Sequence, residues 1–92
     1  MESAHLQSRD EELRAEQRLL LKADLDIEKG RNRLRDQQEL MGSLRDAGKD
    51  TRQAERLVHV FSRILVEWER HRVLIAQRIA YLEKEVANAS HC

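Results

Sequence analysis

The chain contains no proline, three glycines, one cysteine, and a single Trp, Tyr and Phe among its 92 residues. The lack of proline removes the strongest helix breaker from every position. Strand-forming residues are sparse, and Leu, Arg, Glu, Ala and Gln dominate, which points to an all-α fold. One thiol, Cys92, cannot close an internal disulfide, so a bridge-stapled secreted scaffold is excluded. Charge of one sign is missing as well. Seventeen basic and seventeen acidic residues give a net charge of zero. That balance argues against a dedicated nucleic-acid binder, an acidic tail and a polybasic membrane anchor. No run approaches the roughly 18 apolar residues of a membrane span. The first residues, "MESAHLQSRDEELRAEQRLL", are polar and acidic where a signal peptide needs a basic and then an apolar stretch. The expected location is the cytoplasm.

What remains is charged and periodic. Charged residues make up 37% and hydrophobic residues 40%, too apolar for a disordered chain and lean for a deep core. One small domain over 1–92 is expected. The best-punctuated stretch is "RDAGKDTRQAERL", residues 45–57. Gly48 can take the left-handed conformation that ends a helix. Asp50 can cap the next one, with Gln53 as the second half of a capping box and Thr51 as an alternative cap. The reading is a helix over about 8–47, a turn at 48–50 and a helix over about 51–88. So short a connection places the two helices antiparallel, as a hairpin. Another capping box, Ser8 to Glu11, marks the start of the first helix, with residues 1–7 either frayed or helical.

Two unequal stripes follow. On the first helix Leu6, Leu13, Leu20, Ile27, Leu34 and Met41 recur every seven residues, the pattern of a coiled-coil face. Their companions three residues on, Arg9, Glu16, Ala23, Gly30, Gln37 and Leu44, are small or polar until the turn. On the second helix Ala54, Phe61, Trp68, Ile75 and Leu82 form one row, and Val58, Leu65, Arg72, Ile79 and Val86 another. Leu57, Ile64, Val60, Val66, Val73, Leu74 and Ala80 widen it. A face this broad exceeds what one narrow helix covers, and an exposed remainder is an association surface. Val58, Leu65, Val73 and Ile79 are expected to be left over by the hairpin. The residues expected at a dimer interface are Val58, Phe61, Leu65, Trp68, Ile75, Ile79 and Leu82, with Leu65 and Ile79 covered by a second copy or at the seam beside it. Folding at about residue 49 sets Leu44 against Ala54, Met41 against Leu57, Leu34 against Ile64 and Gly30 against Trp68. Either Gly30 makes room for the indole, or it is an incidental weak spot and Trp68 points elsewhere.

Motifs that carry chemistry are missing: no Gly-rich phosphate loop, Cys pair, Ser-His-Asp arrangement or His-Glu-x-x-His. No enzyme activity, cofactor or metal is expected. Two pairs test that reading. Glu55–His59 and Glu67–His71 are each four apart, on one helix face, where a divalent metal could bind. Di-iron bundles need Glu three residues before His, and here Arg56 and Trp68 stand at those positions. His59 and His71 are also the candidate acceptors if the chain were a signalling phosphotransfer dimer. "HVFSRIL" after Val58, however, has none of the flanking Pro, Lys-Gly or Asn usual around such histidines. Arg31, Arg33 and Arg35 form the sole basic cluster, neutralised in this reading by Glu28, Asp36 and Glu39.

Residues 26–72 resemble small uncharacterised helical-hairpin proteins of rhizobia and related alphaproteobacteria. The shared pattern falls on Ile27 and Gly30, Gln37 and Leu40, Gly48 with Asp50, Thr51 and Ala54, Phe61, and His71 with Arg72. The chain departs from it at Val58, where the pattern has leucine. The resemblance implies a bacterial cytoplasmic setting and a stand-alone domain, and carries no activity.

The sequence therefore predicts an all-α antiparallel helical hairpin that self-associates, as a four-helix bundle homodimer. Its expected role is a non-enzymatic interaction or regulatory module, with an unidentified protein as a possible partner. A phosphotransfer or kinase-associated dimer and a metal-binding bundle are the alternatives. Neither a nucleic acid nor a membrane is expected as partner.

Overall fold

The computed structural model describes the backbone of residues 2–90 and the side chains of residues 8–89. The chain is an all-α helical hairpin of α1 (Glu2–Asp46) and α2 (Arg52–Ser90), with no strand among the described residues. α1 runs through the Ser8–Glu11 box rather than starting there. A capping box permits a start but does not impose one, and Glu2 to Gln7 include no breaker. Leu6 and Cys92 lie outside the residues whose side chains are described.

The turn is built from backbone hydrogen bonds. Gly48 adopts φ +68°, which an L side chain resists and glycine does not. Its N–H donates to the Arg45 carbonyl at 3.0 Å, and the Lys49 N–H donates to the Leu44 carbonyl at 2.8 Å. These two bonds together make a Schellman closure, which satisfies carbonyls the helix end would leave open. Arg45 lies in the last turn of α1 and Glu55 in the first turn of α2, each opposite in sign to the local end of the helix dipole. The Thr51 carbonyl accepts the first helical N–H of α2, from Glu55 at 2.9 Å. Thr51 is thus the capping residue by backbone. The Asp50 carboxylate takes the Arg52 N–H at 3.0 Å and is gripped by the Arg52 guanidinium at 2.7 Å. The Arg52 fork donates to both carboxylate oxygens, a side-chain ion pair in place of the reciprocal capping box expected of Gln53.

The chain divides into two compact units, a turn half (residues 25–70) and a terminal half (residues 1–24 with 71–92). In the turn half, Ile27, Gly30, Ala54 and Leu65 are buried, and Leu34, Met41, Leu44, Leu57, Val58 and Phe61 are half-buried. In the terminal half, Ile75, Ile79 and Leu82 are buried, Leu82 completely. Leu13, Leu20 and Ala23 of α1 are partly buried there. The heptad row of α1 thus forms the seam, as its period requires.

The expected leftover residues are partly corrected. Leu65 is 7% exposed and Ile79 8%, so both are already covered by their own chain, as are Ile75 and Leu82. The small companions on α1 explain this in the turn half: Gly30 presents bare backbone, and the large side chains of α2 sink onto it. Val73, by contrast, is 51% exposed, and Val58 is intermediate.

Candidate interaction surface

At Gly30 the two helices of the turn half are in close contact. A Cβ placed on it would stand 3.0 Å from Leu65 Cδ2 and 3.0 Å from Trp68 Cζ3. The glycine therefore makes room, and Trp68 does not point elsewhere. One edge of the indole lies on the α1 backbone, while the residue remains 38% exposed. Trp68 thus makes the intra-hairpin contact with Gly30 expected of it and is also part of the surface.

The seam of the turn half has two unlike flanks. On one, Arg31 donates to Glu69 across the helix pair at 2.9 Å, with both side chains largely exposed. The other flank holds a cleft of about 120 Å³ bounded by Gly30, Arg33, Phe61, Ile64, Leu65 and Trp68. One heptad toward the turn from Arg33 and Ile64 stand Leu40 and Leu57. Leu40, Val60 and Ile64 are exposed despite their size. One flank is therefore crossed by an ion pair, and the other is open, with exposed apolar side chains beside the charged Arg33.

The basic cluster resolves differently from its sequence reading. Arg31 pairs with Glu69 rather than with Glu28, Asp36 or Glu39, and Arg35 donates to the Asn32 side-chain oxygen at 2.7 Å. Cross-helix pairs need the register of the hairpin, which i, i+3 and i, i+4 spacing cannot supply. The same applies in the terminal half, where Arg72 bonds Asp24 and Arg78 lies 3.7 Å from Glu12. The Arg72 guanidinium is held further above its ordinary pKa by that bond and by the Asp24 charge. A signal was present in the sequence: Arg72 interrupts an otherwise apolar row, and such an intruder needs a partner across the seam. Arg78 also lies over the Tyr81 ring at 5.5 Å.

Glu55 and His59 border one open depression on α2 beside the turn, shared with Asp50 and Arg52. His59 and His71 are exposed. Among the described residues, no group of three His, Cys, Asp or Glu is placed to hold a metal. No described helix is long and apolar enough to cross a membrane. Among the described residues, protonation is shifted at Asp50 and Arg52 in the turn and at Arg72. No family model matches the chain, and neither a curated protein nor a solved structure shows significant similarity to it.

Proposed function

We propose that this chain is a non-enzymatic helical interaction module that self-associates, pairing two hairpins in a four-helix bundle. The observation that carries the reading is the exposure of large apolar side chains: Leu21, Leu25, Val73 and Leu74 are each more than half exposed, and apolar surface left open by a chain's own packing is association surface. A net charge of zero leaves two copies without mutual repulsion. The resemblance to bacterial hairpin proteins is compatible with this role in a cytoplasmic setting. Sedimentation equilibrium at micromolar concentration tests the reading. A species of twice 10.8 kDa is expected, and a stable monomer refutes it.

A further inference from the structure

The two compact units of the chain are closed in different ways. The turn half contains the Schellman turn at Gly48, and both helices bury residues in it, Ile27 and Gly30 from α1 and Ala54 and Leu65 from α2. The terminal half has no such turn among the described residues, and its burial is one-sided. Ile75, Ile79 and Leu82 of α2 are buried there, whereas no residue of α1 from Ser8 to Asp24 is. We infer that the terminal half is a salt-sensitive clasp: α1 residues 8–24 separate from α2 residues 71–89 in an opening that leaves the turn half closed, and exposed ion pairs across the seam set how often it opens.

The ease of opening follows from what must be broken. α1 covers the row Ile75, Ile79 and Leu82 with Leu13, Leu20 and Ala23, which are all only partly buried, and with the polar Arg9 and Glu16 beside them. Few buried apolar contacts place a segment at the low-stability end of a structure. The rest of the closure is charge. Arg72 bonds Asp24 across the seam, and Arg78 lies 3.7 Å from Glu12, which also takes Arg9 at 3.3 Å. The four side chains of the two cross-helix pairs are between 42% and 47% exposed, so dissolved ions reach and screen them. Once separated, residues 8–24 have only intrinsic propensity to keep them helical. Most helical stability in proteins comes from the packing of an apolar face, so their amides lose protection when the clasp opens. What the opening uncovers is the row Ile75, Ile79 and Leu82, the buried apolar side chains of this half. Exposure of that row is thereby placed under the control of ionic strength.

Native-state hydrogen exchange of the full chain, at one fixed protein concentration, tests the clasp. Amides of residues 13–23 and 75–86 should exchange as one group, faster than those of residues 27–44 and 54–68. Raising potassium chloride from about 0.01 M to about 1 M shortens the Debye length from about 30 Å to about 3 Å. Exchange of the first group relative to the second should then rise roughly two- to tenfold, the range that two exposed ion pairs supply. Asp24→Asn should speed the first group at low salt and weaken its response to salt. Arg31→Gln breaks the ion pair of the turn half and should leave the first group unchanged. The clasp is overturned if the two groups exchange at one common rate, if salt leaves their ratio unchanged, or if Arg31→Gln speeds the first group as much as Asp24→Asn does. The salt arm uses the unmodified chain, so it decides by itself where a variant loses helicity by circular dichroism.

Discussion

Gly30 and Gly42 are both helical glycines of α1 and should respond to the same substitution with opposite sign. Ala in place of Gly in a helix interior gains about 1 kcal/mol from reduced unfolded-state freedom and better propensity. At Gly42 nothing lies within 4 Å of the new methyl group, so Gly42→Ala should stabilise the chain by about that amount. At Gly30 the methyl would meet Leu65 and Trp68, each at 3.0 Å, several tenths of an ångström inside ordinary contact. Trp68 is partly exposed and can give. Leu65 is 7% exposed and sits in the seam, where moving it disturbs its neighbours. Overpacking of this kind costs roughly 1–3 kcal/mol, which cancels or outweighs the propensity gain. Gly30→Ala should therefore be neutral or destabilising by up to about 2 kcal/mol, and Gly30→Leu worse. The gap between the two alanine variants, roughly 1–3 kcal/mol, is the quantity to measure. Urea unfolding followed by circular dichroism gives it, at one fixed protein concentration so that association does not enter the comparison. Trp68 fluorescence should change in Gly30→Ala and not in Gly42→Ala. If both variants gain equally, the close approach of α2 to Gly30 does not exist.

Three further outcomes are expected. Gly48→Ala should destabilise by about 1–2 kcal/mol in the same assay, because Gly48 holds φ +68°; an unchanged midpoint would contradict the left-handed turn. The Arg52 side chain first, and its N–H second, hold the Asp50 carboxyl below its ordinary 3.8. A lowered folded-state value means that its contribution is present above the unfolded value and is lost as pH falls through the folded one. Asp50→Asn should thus be less stable than the unmodified chain at pH 7, with the gap closing between about pH 5 and about pH 2; a gap that persists at the acid end would exclude the charge as its cause. A double-mutant cycle on Arg31 and Glu69, paired at 2.9 Å with both side chains largely exposed, should give a coupling of roughly 0.2–1 kcal/mol that shrinks in high salt. A salt-independent coupling would mean the pair is not an exposed ion pair.

The parts of this fold legible in the sequence are those governed by local chemistry. Gly48 and the residues around it marked the turn, since a left-handed stop and a cap follow each other within a few residues. The seven-residue row from Leu13 to Met41 marked the buried face of α1 because helical period is a property of neighbours three and four apart. The contact of Gly30 with Trp68 followed once the turn was placed, since a short turn fixes which residues face each other. Less legible was how far α2 would be covered. Leu65 and Ile79 looked surplus because burial was judged from the width of the α1 stripe. What matters in the turn half is the depth of the groove, and a residue without a side chain deepens it. The partners of Arg31 and Arg72 were missed for a related reason: their acids lie on the other helix, at positions only the register reveals.

Polar residues in the seam also bear on why the hairpin has one register. A uniformly apolar seam can slip by a heptad with little change in what faces what. In the turn half, a slip of seven toward the turn would bring Gln37 under the Trp68 edge in place of Gly30, where even a methyl group is too close. Gln37 already has its side-chain oxygen buried without a hydrogen-bond partner, and moving it beneath an indole offers none. In the terminal half, Arg72 sits beside Asp24. A slip of seven in one direction would replace that acid with Gln17, and in the other with Arg31. The first leaves the guanidinium without a countercharge and the second sets two cations together. Each half thus penalises the shifted pairing by its own means, a steric one at Gly30 and an electrostatic one at Arg72. Their effect is that the surface left open, with Val60, Ile64 and Trp68 on it, is presented in a single arrangement, which a surface must have if a second chain is to recognise it.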